Sequence, residues 1–348
     1  MGIYAPTPLK IAVFRPLQFG DLMCAVPALR RLRAAYPLAE ITLIGLPWAA
    51  AFVDRFPHLV DRLIEFPGLP GFPERGPEVQ RFRAFLAAAQ AEEFDLALQM
   101  HGAVNLSNII TALLGARMTA GFYLPGNDCP NRSTYLGYPN HLSETHRLLA
   151  LMDFLGFPPV QTPDDALEFP LLASDLAAFS SLQRQYALVP GEYVLINPGA
   201  RTDELRWPAE KFAQTANQLA AAGHQVVITG TTVDRPVVDA ILEDVDFPVV
   251  DLCGHTTFGS YGALLSHARL LITNDTGVQF LALALETPSL VLSFTSDGEI
   301  RGPNQGLHRR IAQANQAVPA DVLAIASLLL AQEQTAHAIS HQGESVSV

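Results

Sequence analysis

The amino-acid sequence predicts an α/β protein with two doubly wound parallel sheets, one in each half of the chain. Short apolar runs alternate with amphipathic stretches almost from the start, and this alternation is typical of a parallel sheet built through right-handed crossovers. The alternation stops at a proline-rich segment, 156–170, and then restarts. The length of 348 residues also favours two hydrophobic cores over one.

The first half begins with the strand-like run KIAVFR and the helix-like run DLMCAVPALRRLRAAY, and the alternation continues to FDLALQM. Beyond about Arg117, the segment GFYLPGNDCPNRSTYLGYPN is rich in glycine, proline and asparagine, which predicts a long surface loop at 122–140. Long loops in compact domains are often functional. A helix from about Ser143 to Leu155 leads into the proline-rich connector.

The second half repeats the pattern from EYVLINPG to PSLVLSF. We place an N-terminal domain at 1–165 and a C-terminal domain at 166–318, and we expect a terminal helix, 319–332, to pack back on the N-terminal domain. The polar residues 333–348 predict a flexible tail. Because ligands of doubly wound sheets bind beyond the carboxyl ends of the strands, the expected site is the cleft between the domains.

The composition excludes several classes of protein. A formal charge of −12 argues against a nucleic-acid partner, which would need a basic face. Cys24, Cys129 and Cys253 are far apart, which argues against a disulfide framework or a zinc site and fits a reducing cytoplasm. We find no secretory signal and no apolar run of the roughly 18 residues that a membrane span needs. The expected location is cytoplasmic.

The segment LLITNDTGVQFLALAL, at 270–285, contains the most informative junction. An apolar strand ends here and an apolar helix begins, with the polar residues 274–277 between them. The N-terminus of a helix offers free N–H groups and a positive dipole end, which bind anions such as phosphate. The alternative is that Asp275 only caps the helix.

An earlier junction, FRPLQFGDLM, contains one glycine and one carboxylate. Gly20 permits a tight turn, and Asp21 begins a helix, with its side chain either aimed at the cleft or capping the helix. No G-x-G-x-x-G motif is present, so the reading as a dinucleotide oxidoreductase loses its main support. Arg30, Arg31 and Arg33 follow on the same helix, and we favour a solvated face for them over a contact with anionic phosphates.

A third junction, INPGARTDELRWPAEKF, opens the second half. Gly199 turns the chain after a strand, and two arginines, Arg201 and Arg206, precede a helix. Two guanidinium groups near a helix N-terminus form a clamp for a diphosphate. The alternative is that they pair on the surface with Asp203 and Glu204.

Together these motifs resemble the lipopolysaccharide heptosyltransferase family, glycosyltransferase family 9. G-D-x-x-x-x-x-P-A-L stands early, N-P-G and R-W-P lie mid-chain, and N-D-T-G comes late, over roughly residues 9–331. The resemblance implies the GT-B fold of two facing Rossmann-like domains. It also implies transfer of heptose or a related sugar from a nucleotide-diphosphate donor, such as ADP-heptose, to a lipopolysaccharide or other surface-glycan acceptor. A peripheral contact with the inner membrane is left open.

The resemblance also assigns roles to residues. Asp21 matches the catalytic base, and a single base opposite the leaving group implies inversion. Asp275, Thr276 and Gly277 match the donor-diphosphate loop, and Asp234 falls where the family tends to place an acid near the donor ribose. From the junctions described above, we also expect Gly20, Gly199, Arg201 and Arg206 at the donor and nucleotide site. Residues expected at the acceptor are His101, Gly102 and Asn105, beside the loop at 122–140. We expect no cofactor and no metal, since no D-x-D pair is placed to hold one.

Two departures from the family pattern affect the donor site. Members typically carry His at the position of Phe280 and often carry Lys at the position of Leu205. Arg206 can replace the lost charge, because its guanidinium is permanently ionised and binds phosphate in a bidentate way. A more apolar pocket would leave the hydroxyls of a heptose poorly paired, so we expect a donor other than ADP-heptose or a changed sugar orientation.

Two other classes of function remain open at this stage. A nucleotide-sugar epimerase on the same fold would keep the donor site but would want further carboxylates and a histidine, for which His101 and Asp21 are the candidates. A non-catalytic nucleotide- or glycan-binding protein is favoured by Phe280 and Leu205. Binding of nucleotides separates both enzyme classes from a protein that binds none.

Overall fold

The computed structural model describes residues 10–73, 75–102, 105–294 and 306–343, with residues 333–343 as backbone only. The chain forms two compact units, Met1–Pro170 and Leu171–Val348. The division therefore falls after Pro170, whereas the sequence analysis places it after residue 165. Among the described residues, no helix is long and apolar enough to cross a membrane.

A six-stranded parallel sheet forms the first unit. Its strands are β1 (Lys10–Phe14), β2 (Glu40–Gly45), β3 (Arg62–Glu65), β4 (Leu96–Gln99), β5 (Met118–Tyr123) and β6 (Tyr135–Gly137). Its α-helices are α1 (Phe19–Ala35), α2 (Ala50–Arg55), α3 (Val79–Ala91), α4 (Asn105–Leu113) and α5 (Glu144–Leu155). The strand order is β3-β2-β1-β4-β5-β6, so the winding direction reverses between β1 and β4. This reversal is the place where doubly wound sheets bind ligands.

The second unit has the same architecture, with another six-stranded parallel sheet. Its strands are β7 (Tyr193–Asn197), β8 (Gln225–Ile228), β9 (Val250–Asp251), β10 (Leu270–Asn274), β11 (Ser289–Leu292) and β12 (His308–Ile311). Its α-helices are α6 (Ala173–Tyr186), α7 (Ala209–Ala221), α8 (Arg235–Glu243), α9 (Phe258–Ser266), α10 (Val278–Ala284) and α11 (Pro319–Gly343). The order β12-β11-β10-β7-β8-β9 places the reversal between β7 and β10. The predicted pair of doubly wound parallel sheets is confirmed.

The central strands are buried because helices cover both faces of each sheet. Ile11, Val13 and Phe14 of β1 are fully buried, as are Leu271 and Ile272 of β10. This burial on both faces accounts for the continuous apolar runs in the sequence. Gln99, Asn197 and Asn274 are the last residues of β4, β7 and β10, so polar side chains gather at the carboxyl edges of the sheets, where the candidate site residues lie.

Three strands lie where the sequence analysis predicts none. β5 and β6 belong to the region interpreted as a long surface loop, and the connection between them is shorter than that loop. Their glycines and tyrosines, set among prolines and asparagines, obscure the strand pattern. β12 has the sequence HRRI and is half-buried throughout. Edge strands tolerate such charge, which is why hydrophobic patterning does not detect it.

The C-terminal helix α11 is longer than predicted. It continues to Gly343, whereas a flexible tail is expected from residue 333. The segment AQEQTAHA contains good helix formers and neither glycine nor proline, which explains the continuation. Residues 344–348 of the predicted tail lie outside the described residues. Val322, Ala326 and Leu329 pack in the core of the second unit, and a contact of α11 with the N-terminal domain stays a prediction.

The arginines of α1 do not form the solvated face that the sequence analysis favours. Arg31 is only 4% exposed and forms ion pairs with Asp153 and Asp164. Arg30 donates to the carbonyl oxygen of Ala166 at 3.0 Å. Arginine stems bury readily when the head group finds carboxylates. These contacts attach most of the proline-rich connector to the first unit, which explains the later domain division.

Candidate active site

Asp21 lies in the first turn of α1, which follows the carboxyl end of β1 at the reversal point of the first sheet. The N-cap is Gln18, without a side-chain hydrogen bond, and Asp21 is the third helical residue. The alternative that Asp21 is the N-cap is therefore wrong. The expected glycine turn is also wrong, because Gly20 is buried within the helix. The positive end of the helix dipole favours an ionised carboxylate at this position.

Arg15 is a buried cation beside Asp21 that the sequence analysis does not identify. It is fully buried, and its Nε and Nη2 donate to the backbone oxygen of Asp21 at 3.0 and 2.7 Å. Its Nη1 donates to the oxygen of Met100, and its Nη2 forms an ion pair with Glu144 at 2.9 Å. The guanidinium thus joins the start of α1, the end of β4 and the start of α5. The only signal in the sequence is an arginine directly after a buried strand.

Glu144 balances the charge of Arg15 and also pairs with Arg147 through Oε2 and Nη1, 3.1 Å apart. Burial alone would raise the pKa of the Glu144 carboxyl, but Arg15, followed by Arg147, outweighs burial and holds that pKa below its usual range. A buried charge needs such partners. The region around Asp21 therefore contains a carboxylate held between two guanidinium groups.

His101 and Gly102 follow β4, on the other side of the same reversal point. Gln99 is fully buried; its Oε1 accepts from the N–H of His101 at 3.0 Å, and its Nε2 donates to the oxygen of Gly102 at 2.7 Å. Gly102 has a φ of 125°, which a residue with a side chain rarely adopts. These bonds fix the backbone of His101 and Gly102.

The imidazole of His101 is buried between Phe14 and Phe72, with ring centroids 5.9 and 4.9 Å away. Burial, reinforced by the positive charge of Arg15, lowers the pKa of His101 to about 4, so the ring is neutral near pH 7. Among the described residues, its Nδ1 has no hydrogen-bond partner. Asn105 begins α4 and is exposed, and its Oδ1 accepts from Nδ2 of Asn127 at 3.1 Å.

Asn274 organises the reversal point of the second sheet. It is fully buried at the end of β10; its Oδ1 accepts from the N–H of Trp207 at 3.1 Å. Its Nδ2 donates to the oxygens of Pro198 and Gly199 at 2.9 and 3.1 Å. One side chain therefore holds together the loops of the N-P-G, R-W-P and N-D-T-G motifs. The sequence analysis notes Asn274 as polar but does not identify this function.

Gly199 and Asp234 are in direct contact. A Cβ at Gly199 would lie 3.1 Å from each carboxylate oxygen of Asp234, so only glycine fits without displacement. Asp234 is 8% exposed, and its Oδ2 accepts from the N–H and hydroxyl of Thr231 at 2.8 and 2.7 Å. These bonds cap the turn that precedes α8. They give Asp234 a structural role, and its contact with a donor ribose stays a prediction.

The two arginines of the second junction differ in their surroundings. Arg201 is exposed and forms no hydrogen bond or ion pair within the described part of the chain. Arg206 pairs with Asp203, with Nη1 and Oδ1 2.5 Å apart, which is the surface alternative of the sequence analysis. Its Nε is buried and has no partner among the described residues. Asp203 is 87% exposed, so the pair is weakly held and can exchange for an anionic ligand.

The loop after β10 contains Asp275, Thr276 and Gly277. The alternative that Asp275 caps α10 is wrong, because the N-cap is Gly277 and makes no side-chain bond. Asp275 is instead bonded to Arg310, Ser293 and Gln279. In the described part of the chain, the backbone N–H groups of Thr276 and Gly277 have no acceptor. These donors make the loop a candidate anion site.

The comparison with solved structures identifies the fold. A glycosyl transferase of family 9 from Veillonella parvula superposes with a TM-score of 0.78, at 19% identity, over 93% of this chain and 97% of that one. The ADP-heptose lipopolysaccharide heptosyltransferase II of Escherichia coli superposes with a TM-score of 0.70, at 22% identity, over 94% of this chain and 100% of that one. The fold is the GT-B fold of glycosyltransferases.

The family follows from the sequence comparison. The model of glycosyltransferase family 9 (heptosyltransferase) matches residues 82–319, and the chain belongs to this family. Lipooligosaccharide heptosyltransferase 2 of Haemophilus influenzae is 26% identical over 298 residues, covering 82% of this chain and 83% of the relative. The predicted resemblance is confirmed, and the protein is a glycosyltransferase. The epimerase and the non-catalytic alternatives are not favoured.

Proposed function

We propose that this protein transfers a heptose or related sugar from ADP-heptose, or a similar nucleotide-diphosphate sugar, to a lipopolysaccharide or other surface-glycan acceptor, with inversion and without a metal. The observation that supports this most is the position of the residues predicted from the motifs. Asp21 follows β1 beside the reversal point of the first sheet, and the polar loops after β7 and β10 flank the reversal point of the second. The relatives described above from Haemophilus influenzae and Escherichia coli are heptosyltransferases by name.

Two kinds of group in the second unit are proposed to bind the donor diphosphate, backbone N–H groups and guanidinium groups. Among the described residues, the N–H groups of Thr276 and Gly277 have no acceptor and are available to a phosphate, and Arg206 offers a guanidinium whose pairing with Asp203 is exposed. Negative charge grows on the diphosphate as the glycosidic bond breaks, and these groups stabilise it. Arg201 adds a second, exposed cation close by in sequence.

Asp21 is the base in this mechanism. The acceptor hydroxyl oxygen attacks the anomeric carbon, the bond from that carbon to the diphosphate oxygen breaks, and the hydroxyl proton passes to the Asp21 carboxylate. An ordinary carboxylate suffices, because the proton leaves late, when the attacking oxygen is already acidic. Attack on the face opposite the leaving diphosphate inverts the anomeric centre.

The acceptor is proposed to bind near His101, Gly102 and Asn105, with the loop after β5 beside them. The His101 ring is neutral near pH 7, so acceptor binding beside it would not have to desolvate a charge. Asn127 of the loop already bonds to Asn105. We further propose that the enzyme acts in the cytoplasm, at the inner membrane where a lipid-linked acceptor is accessible.

The test of this function is the substitution Asp21→Asn, assayed with ADP-heptose and heptose-deficient lipopolysaccharide. Asn keeps the shape of the side chain but cannot take the proton, so the transfer rate should fall by about a hundredfold or more. ADP binding, measured by calorimetry on the same preparation, should not change. A panel of other nucleotide sugars would show whether Phe280 changes donor choice.

The matched control is Asp54→Asn, on the exposed surface of α2. It should transfer sugar like the wild type. Normal turnover by Asp21→Asn would place the base elsewhere, and loss of folding would make Asp21 structural. A wild type that binds nucleotides but transfers no sugar from any donor would return the protein to the non-catalytic class.

A further inference from the structure

A buried ion pair lies beneath the candidate diphosphate loop. Nη1 of Arg310 donates to Oδ2 of Asp275 at 2.7 Å, and the two side chains are 11% and 13% exposed. Arg310 belongs to β12, two strands away from β10 in the sheet. Thr273 of β10 is in register with Val291 of β11, which is in register with Arg310. The arginine side chain therefore reaches across β11 to the loop that follows β10.

The ion pair is part of a network of hydrogen bonds that also includes Gln279 and Ser293. Arg310 Nη2 donates to Oε1 of Gln279 at 2.7 Å, and Nε2 of Gln279 donates to Oδ1 of Asp275 at 2.6 Å and to the oxygen of Thr276 at 3.2 Å. Ser293 donates its hydroxyl to Oδ2 of Asp275 at 3.0 Å. Both carboxylate oxygens are thus occupied from inside the protein, and the loop backbone is held at Thr276.

The charge of Asp275 is a problem for a loop that binds a diphosphate. The carboxylate immediately precedes the two N–H groups proposed to contact the donor, and an unpaired carboxylate there would repel phosphate. Arg310 neutralises the Asp275 carboxylate and so removes this repulsion, and it need not contact the ligand itself. Because the pair has little access to solvent, removing one partner would leave an uncompensated buried charge, so the two side chains depend on each other.

We propose that Arg310 is a positioning residue of the donor site, which neutralises Asp275 and holds the Thr276–Gly277 backbone in its anion-binding conformation. This inference rests on the proposed function, because it concerns the same diphosphate. Arg310 acts through Asp275 and Gln279 and need not touch the donor. The pairing of Arg310 with Asp275 also explains why the edge strand β12, with the charged sequence HRRI, is half-buried.

The test compares ADP and AMP binding, by calorimetry, for Arg310→Met and for Asp275→Asn/Arg310→Met. Arg310→Met leaves one negative charge beside the diphosphate, so the Kd for ADP should rise about tenfold or more, as expected for an added repulsion between close charges. The Kd for AMP, which carries less charge, should rise less. Removing the carboxylate as well should restore ADP binding to within about threefold of the wild type, since the repulsion disappears.

Two further variants make the test specific. Arg310→Lys keeps the charge and should bind ADP nearly as the wild type does. Arg309→Met, a neighbouring half-buried arginine of the same strand, is the matched control and should leave ADP binding unchanged. A residue that only stabilised the fold would lower the unfolding midpoint without distinguishing ADP from AMP, and the Asp275→Asn change would not restore binding.

The outcomes separate this inference from the proposed function. Unchanged ADP affinity in a folded Arg310→Met overturns the inference alone. If Arg310→Met does not fold, the double variant decides: ADP binding more than about tenfold weaker than that of the wild type overturns the inference. A wild type that binds no nucleoside diphosphate overturns both the inference and the proposed function.

Discussion

The availability of the Arg206 guanidinium for a ligand depends on its ion pair with Asp203. Its ion pair with Asp203 is short, yet the acid is 87% exposed. Exposed pairs contribute little because water and salt compete for both charges. A diphosphate carries more charge than one carboxylate and offers oxygens for bidentate contacts, so it should displace Asp203.

We expect Arg206→Ala to weaken ADP binding by about 1.5–3 kcal/mol, the value of a charge-assisted hydrogen bond. Isothermal calorimetry on folded variants measures the change. The matched control is Asp203→Ala, which removes the competitor and should leave ADP affinity unchanged or slightly higher. Equal weakening by both substitutions would mean that the pair only shapes the loop and that Arg206 does not bind the diphosphate.

Partners of individual residues are the part of the site that the sequence does not predict. The spacing of G-D, N-P-G and N-D-T-G predicts which junctions carry polar groups. Arg15 and Glu144 are 129 residues apart, and Arg310 and Asp275 are 35 apart. Such pairs form only once the strand order is known, and local patterning does not specify that order. The sequence around Asp275 therefore suggests a helix cap, whereas its ion-pair partner, Arg310, lies on β12.

At the scale of elements, the last residue of β10 holds two loops that lie far from it in the sequence. Asn274 is the last residue of this strand and bonds to the backbone at Trp207, Pro198 and Gly199. Those groups are buried, so no water replaces the side chain if it is removed. The loops after β7 and before α7 depend on this strand end for their conformation.

We expect Asn274→Ala to lower the free energy of unfolding by about 2–4 kcal/mol, since it leaves buried backbone groups unpaired. Urea unfolding measures the change, and ADP binding should weaken in the same variant because two donor-site loops lose their common anchor. The matched control is Asn217→Ala, which also loses three hydrogen bonds, but at a more exposed position. An equal loss in both variants would contradict a special role for Asn274.

The central strands are predicted because their burial is nearly uniform, and the half-buried edge strands β3 and β9 are predicted from their short apolar runs. β1, β4, β7 and β10 are continuous apolar runs because both faces are covered. β5, β6 and β12 lie towards or at the edges of the sheets and contain glycine, tyrosine or arginine. Edge strands bury less, so their composition resembles that of loops. The last turns of α11 are not predicted because their residues are polar, and a helix without an apolar stripe gives no hydrophobic pattern.

At the scale of the whole molecule, the described part of each unit contains one histidine with a strongly lowered pKa, the buried His101 in the first unit and the half-buried His308 in the second. Burial and the charge of Arg15 lower the pKa of His101 to about 4, and burial lowers the pKa of His308 to about 4. In the unfolded chain a histidine titrates near pKa 6.5. Between these values the unfolded chain binds protons that the native protein does not, so the free energy of unfolding must fall as the pH falls.

We expect the wild-type free energy of unfolding to decrease from about pH 6.5 to about pH 4, with His101 contributing at most about 3 kcal/mol of the loss. His308 should contribute less, because it is only partly buried. Urea unfolding across this pH range measures the loss. His101→Gln, which cannot titrate, should flatten the pH dependence, whereas the exposed control His255→Gln should not. An unchanged slope in His101→Gln would mean that the imidazole takes up its proton in the native state, and it would remove the neutral ring from the proposed acceptor site.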